Sequence, residues 1–175
     1  MTLRIGAHTV PAMSTLSIRA ATAADAETIH GFITELAIYE REPDAVEATP
    51  ESLRVQLEDA HPPFECLIGE VAGEPVGFAL YFRNYSTWKG VPGLYLEDLY
   101  VKPEQRGAGH GVALLAELAA IAVERGYARV DWQVLDWNTP SIDFYEAIGS
   151  RINREWIPCR LTGDALAAMA MRAAG

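Results

Sequence analysis

The sequence predicts a mixed α/β domain of the α+β kind, with a mostly antiparallel central sheet flanked by helices. Three observations carry this. Apolar patterns of period 2 and period 3.6 follow one another in the order strand, two helices, three strands, helix, strand, helix, strand. Two strand-like runs meet across a short link at Gly73-Glu74, the mark of an antiparallel hairpin. The longest helical pattern lies between two strand patterns, as in a parallel pair joined by a helix. A chain of 175 residues that is 50% hydrophobic suits one core, and no internal repeat or interior linker divides it. Residues 1–16 show no sustained period and read as an N-terminal extension with nothing to order it; residues 17–175 read as a single domain.

Ser17 to Thr22 reads as the first strand. Thr22, with Asp25 three residues on, can cap a helix whose Ile29, Phe32, Ile33, Leu36 and Ala37 form one apolar stripe ending near Glu42-Pro43. Thr49-Pro50-Glu51 opens a second helix with a hydroxyl cap, a first-turn proline and an acid near the positive end of the dipole. Phe64 to Val71, Val76 to Phe82 and Gly93 to Val101 are strand-like. Val112, Leu115, Leu118, Ala119 and Ala122 then repeat at helical spacing until Gly126. Ala128 to Leu135 resumes strand character, Pro140 to Ala147 is a short helix ended by Gly149, Ile152 to Leu161 offers a last strand, and Thr162 can cap a final Ala-rich helix.

With 24 acidic and 14 basic residues the formal charge is −10, which disfavours binding to nucleic acid or to an anionic membrane and suits a cationic substrate. No apolar run approaches the ~20 residues that span a bilayer, and Met1 to Ser17 lacks the apolar middle of a signal peptide, so the cytosol is the expected compartment. Cys66 and Cys159 sit in hydrophobic, strand-like surroundings without a CxxC spacing and read as buried thiols. No spacing of carboxylates or histidines recommends a metal.

The sharpest local feature is Arg106-Gly107-Ala108-Gly109-His110-Gly111, between a strand and a helix. Glycines let a backbone turn tightly and approach a ligand, and a helix start favours negative charge, so a pyrophosphate is its natural guest. Taken alone, the run is equally an ordinary glycine-rich connection. It is not a dinucleotide fingerprint, because position 112 is Val and Lys102-Pro103-Glu104-Gln105 separate the strand from the loop; it also lacks the Gly-Lys-Ser/Thr end of a Walker loop.

Arg106-x-x-Gly109-x-Gly111 resembles the acyl-CoA signature of the GNAT superfamily of N-acetyltransferases. The runs Tyr85-Ser-Thr-Trp-Lys-Gly90, Tyr95-Leu-Glu-Asp-Leu-Tyr-Val101, Leu135-Asp-Trp-Asn138 and Ser141-Ile-Asp-Phe-Tyr145 are similar to the diamine acetyltransferase branch, which includes spermidine/spermine and thialysine acetyltransferases. The resemblance implies acetyl-CoA as cosubstrate. It puts the amides of Gly107, Gly109 and Gly111 on the pyrophosphate, within a run from Arg106 through Ala108 and His110 to Val112. It also puts the backbone of Leu99, Tyr100 and Val101 along the pantetheine arm, with Asn138 and Ser141 further along the cofactor. A homodimer is implied too, with the last strand or helix as a contact.

Acetyl transfer needs a neutral amine, and an alkylamine of pKa ~10.4 is only about one part in a thousand neutral near pH 7.4. Glu97, in the strand ahead of the loop, is the candidate base, acting directly or through water. Asp98 points to the opposite face of a regular strand, and a bulge of the kind this superfamily carries would bring both acids into play. By resemblance, Tyr145 is the general acid for the leaving thiolate, and Tyr39 and Glu40 hold the substrate's distal charge. Trp88, Trp137 and Trp156 read as core or cleft-wall aromatics, with Trp88 in the run that lines the amine.

Polyamine enzymes of the branch carry an acid in the run before the Trp-x-Gly turn, where this chain has Ser86-Thr87-Trp88, so the resemblance leans to thialysine or a lysine-like amino acid as substrate. A polyamine acetyltransferase is the alternative. A protein-lysine acetyltransferase or a non-catalytic acyl-CoA sensor would use the same loop.

Overall fold

The protein is described by a computed structural model covering residues 15–174. Residues 1–14 of the expected extension lie outside the described residues, and Leu16 already belongs to the first strand. The chain forms two compact units, one up to Gln133 and one from Val134. The first holds β1 (Leu16–Ala20), α1 (Ala26–Tyr39), α2 (Pro50–Glu58), β2 (Glu65–Val71), β3 (Glu74–Ser86), β4 (Val91–Val101), α3 (His110–Glu124) and β5 (Val130–Asp131). These strands form one five-stranded sheet in the order β1-β2-β3-β4-β5, antiparallel throughout except for the parallel pair β4 and β5. Tight turns suffice for the hairpins, whereas the parallel pair needs a crossover, which α3 supplies.

Local chemistry explains the boundaries. Ala72 (φ 55°) and Gly73 (φ 83°) both adopt left-handed backbone, the pattern of a hairpin turn whose twist matches its strands. At the start of the first helical segment the Thr22 amide and hydroxyl donate to Asp25 Oδ2 at 2.7 and 3.1 Å, and a 3₁₀ turn (Ala23–Asp25) leads into α1. Thr49 and Ser52 cap α2 reciprocally, with Pro50 in its first turn.

α3 and α4 (Thr139–Ala147) end as expected on left-handed Gly126 and Gly149, with the next amide returning to the carbonyl five residues back: Tyr127 to Ala122 and Ser150 to Tyr145. α1 closes the same way, with Glu42 donating to Ala37, but its left-handed residue is Arg41 (φ 69°), and the helix ends at Tyr39 rather than near Glu42-Pro43. Arginine is disfavoured in that conformation, so nothing in the sequence marks the stop.

One face of the sheet presents Cys66, Ile68, Phe78, Leu80 and Tyr100 to Ala26, Ile29 and Phe32 of α1 and Leu53 of α2. Phe32 stacks on Phe78 with ring centroids 5.4 Å apart. Residues of opposite parity, such as Gly69, meet Leu114 of α3, whose Leu118 and Ala122 are also buried. β3 and β4 approach so closely that a Cβ on Gly77 would stand 2.5 Å from the Tyr100 carbonyl.

Two expected strands are corrected. Ala128 to Leu135 shrinks to Val130–Asp131, because only these residues find ladder partners, Leu94 and Tyr95. Ile152 to Leu161 is not a strand: the described residues of the second unit form α4, α5 (Gly163–Met171) and a 3₁₀ turn (Arg172–Ala174), so no strand of its own is there to pair with. The segment turns at Asn153–Trp156, and Ile157 is 83% exposed. Cys159 is accordingly exposed rather than buried, whereas Cys66 is buried as expected. Thr162 precedes α5 as its cap residue.

Candidate active site

The register of β3 and β4 breaks beside the candidate base. Leu80 pairs with Asp98 and Tyr81 with Leu96, so Glu97 is an extra residue without a cross-strand partner on β3. A regular strand would put Leu94, Leu96, Asp98 and Tyr100 on one face. The bulge divides them: Leu96 shares the face of Tyr81, while Asp98 and Tyr100 share that of Leu80 and Phe78, which α1 covers.

Three carboxylates result in one neighbourhood. Glu97 is exposed, Asp98 is half-buried, and Glu40 follows the last residue of α1. Burial pushes the Asp98 carboxyl up to about 7, and the negative charges of Glu97 and Glu40 push it the same way. Burial also raises Glu40 above the ordinary carboxylate range. A carboxyl of this kind is partly protonated near neutrality, and an incoming cation would favour its ionised form, the proton passing to water. The influence of Glu40 on Asp98 was not legible in the sequence, where 58 positions separate them.

The free edge of β4 is equally specific. β5 pairs only with Leu94 and Tyr95, so no described strand continues along Leu96–Val101 on that side. Lys102 donates to Val76 on β3, and by alternation the N–H and C=O groups of Leu99 and Val101 turn to the open edge. That edge runs into the glycine loop.

The loop closes as a 3₁₀ turn (Pro103–Gln105) followed by Gly107 (φ 78°) and Gly109 (φ 85°), the latter capping α3. Helix α3 begins at His110, two residues earlier than the periodicity suggested, so His110, Gly111 and Val112 form its first turn. Its first bond runs from Ala113 to the Gly109 carbonyl, leaving the preceding amides without an intrahelical acceptor. Beyond the adjoining residues, no atom lies within 4 Å of where a Cβ would stand on Gly107 or Gly109, and Ala108 is exposed between them. Open left-handed backbone beside unpaired helix amides fits a pyrophosphate.

Arg106 leads into this loop. Its Nε donates to the Val101 carbonyl at 2.9 Å, and its guanidinium carbon lies 4.9 Å from the Tyr39 ring centroid and 5.6 Å from that of Tyr100. Burial, together with a hydrogen bond to Glu35, raises the Tyr100 phenol to about 12. Neither the Arg106–Tyr39 contact nor the role of Glu35 could be found from spacing.

In the second unit Asn138 is buried and accepts from the Ser141 amide at 3.3 Å, capping α4. Tyr145 is buried one turn further on, its ring tilted against Phe144 with centroids 5.2 Å apart.

The structure does not gather Ser86 and Trp88 with the acids. Ser86 is buried at the far end of β3, accepting from the Lys89 amide at 3.2 Å, and Trp88 is 87% exposed in the same turn. Six strand positions separate Ser86 from Leu80, the partner of Asp98, a span of roughly 20 Å. Among the described residues no group of three or more His, Cys, Asp or Glu side chains is placed to hold a metal, and no helix is long and apolar enough to cross a membrane.

Comparison with known proteins bears out the fold. A family model described as "Acetyltransferase (GNAT) family" matches residues 29–149. Thialysine N-epsilon-acetyltransferase of Sus scrofa is 38% identical over 90% of this chain and 99% of its own length, and that of Caenorhabditis elegans is 35% identical over 88% and 96%. Among solved structures, an integron cassette protein of V. cholerae superposes with a TM-score of 0.74 at 26% identity, covering 89% of this chain and 97% of that one. An aminoglycoside N-acetyltransferase in complex with CoA gives 0.68 at 24% identity, with coverage of 87% and 98%, and shares the fold. The chain therefore belongs to the GNAT acetyltransferase family, in the branch of the diamine acetyltransferases, and is an N-acetyltransferase.

Proposed function

We propose that the enzyme transfers an acetyl group from acetyl-CoA to the side-chain amine of thialysine or a similar lysine-like amino acid. The single observation that carries the substrate choice is the near end-to-end similarity to thialysine N-epsilon-acetyltransferases. The cluster of Glu40, Glu97 and Asp98 supports it, since a dicationic amine would meet matching negative charge.

Acetyl-CoA would supply the activated acyl group. Gly107, Gly109, Gly111 and the first turn of α3 would hold its pyrophosphate, the open edge at Leu99 and Val101 its pantetheine arm, and Asn138 and Ser141 a further part. Glu97, exposed at the bulge, would accept the proton of the ammonium, with Asp98 and Glu40 holding the cation and Tyr39 walling it. A backbone amide near Leu99 would donate to the developing oxyanion. Tyr145 Oη would give a proton to the leaving sulfur. Such an enzyme would work in the cytosol as a homodimer, and the exposed Trp156 and Ile157 suit a contact with a second copy.

Polyamines are the second reading, favoured by 37% identity over 79% of this chain to human spermidine/spermine N(1)-acetyltransferase-like protein 1, of which the match covers 21%. The test is CoA release from acetyl-CoA with thialysine, lysine, spermidine, spermine and diaminopropane. Faster turnover of thialysine is expected. Preference for spermidine would reassign the substrate, and no turnover of any free amine would point to a protein acceptor or a sensor.

A further inference from the structure

We propose that Arg106 is a positioning residue that couples the CoA-phosphate loop to the amine-holding end of α1. Arg106 is the first residue of the glycine loop, and its side chain makes three contacts, two on the adjoining strand β4 and one on α1, which is distant in sequence. Its Nε holds the Val101 carbonyl on the open edge of β4 at 2.9 Å. Its guanidinium lies against Tyr39, the last residue of α1, at 4.9 Å, and against Tyr100 at 5.6 Å. A guanidinium over aromatic faces is attracted by the negative face of each ring, so the contact favours one placement of Tyr39 against the start of the loop.

The elements it joins are both places where the backbone turns left-handed. On one side, Gly107 and Gly109 have no non-adjacent neighbour within 4 Å of a Cβ position, which leaves the loop backbone open to a phosphate. On the other side, α1 ends on left-handed Arg41, and Glu40 stands between that residue and Tyr39. A phosphate that orders residues 107–111 would fix the backbone from which Arg106 projects, and through the stack would fix Tyr39 and its neighbour Glu40. Coupling of this kind is reciprocal: cofactor should tighten the amine site, and amine should tighten the cofactor. A second consequence is local. With its carbonyl engaged by Arg106, Val101 presents its N–H to the open edge.

The inference rests on the proposed cofactor and amine sites, and two measurements keep its failure distinct from theirs. The first is hydrogen exchange of peptides covering residues 36–48 with and without saturating CoA, which needs no amine. Native protein should show slower exchange there when CoA is bound. Arg106→Lys, at a CoA concentration that saturates it, should lose that protection, because lysine keeps the charge but not the planar stack or the Nε donor. Tyr39→Leu should lose it too, while Tyr39→Phe keeps it. Equal protection in native and Arg106→Lys protein, or none in the native, would overturn the proposal.

The second is steady-state kinetics with thialysine. Arg106→Lys should raise the amine KM about tenfold with kcat within about threefold, and Tyr39→Leu combined with Arg106→Gln should cost less than the sum of the two single changes. An unchanged amine KM, or strict additivity, would reduce Arg106 to a phosphate ligand. If native protein does not turn over thialysine, the substrate assignment fails, and the exchange experiment still decides the coupling.

Discussion

Glu97 stands opposite no residue of β3, while Asp98 beside it pairs with Leu80. One extra residue thus separates two adjacent carboxylates into different environments, an exposed one open to solvent and substrate and a half-buried one that resists ionisation. The division of labour proposed for the site follows from that bulge.

Glu97→Gln should lower kcat with thialysine by about 10²–10⁴, the usual contribution of a positioned base. The deficit should shrink in alkali. Without a base the rate follows the fraction of neutral amine, rising about tenfold per pH unit toward the amine's pKa near 10.4. A pH–rate profile for the variant parallel to that of the native enzyme would remove Glu97 from the proton path.

Asp98 gives a signed prediction for stability. Its folded pKa of about 7 lies above the ordinary 3.8, so the folded state keeps a proton that the unfolded chain has lost. Stability attributable to this group therefore falls as pH rises from about 4 to 7 and levels off above. Asp98→Asn should be more stable than native protein at pH 8, by on the order of 2 kcal/mol, and nearly equal to it at pH 4. Urea unfolding at both pH values tests this; identical pH dependence in the two proteins would contradict it.

Asp25 behaves oppositely. Arg19 grips it at 2.7 and 2.9 Å, and that hydrogen-bonded pair, aided by the Thr22 donors, holds the carboxyl at about 2. Its contribution is present above pH 3.8 and is lost as pH falls through about 2. Because Arg19 is partly exposed, screening reduces the contribution to about 1–2 kcal/mol. Asp25→Asn should unfold at lower urea than native protein at pH 7, and the gap should narrow at pH 2.

Gly77→Ala tests how tightly the β4 edge is held. A methyl group there meets the Tyr100 carbonyl, which is backbone and cannot swing aside, so a loss of about 1–3 kcal/mol is expected together with weaker CoA binding. Calorimetry with CoA reads both. Gly109→Ala has open space and should cost about 1–2 kcal/mol through its left-handed φ alone.

Tyr145→Phe keeps the buried ring against Phe144 and removes only the hydroxyl. The expected result is a fall in kcat of about 10²-fold or more with a thermal midpoint within a few degrees of native. An unaltered kcat would assign the tyrosine to packing.

Much of the architecture was already legible in local chemistry. Caps such as Thr49-Pro50, stops such as Gly126 and Gly149, and the Gly73 turn are decided by the conformational preferences of a few adjacent residues, so they can be read one segment at a time. The glycine loop and its helix belong to the same class. Reading failed where neighbours in space decide: α1 stops on an arginine instead of a glycine, Val130–Asp131 is as long as its ladder to β4 and no longer, and Ile152–Leu161 has the composition of a strand without an edge in its own unit. Only the tertiary structure puts Glu40 in the field of Asp98, lays Arg106 on Tyr39, and holds Ser86 in a turn away from the acids. Those relations depend on the register of β3 against β4 and on how α1 crosses the sheet. Periodicity carries no record of either, since packing chooses among registers only once the chain has folded.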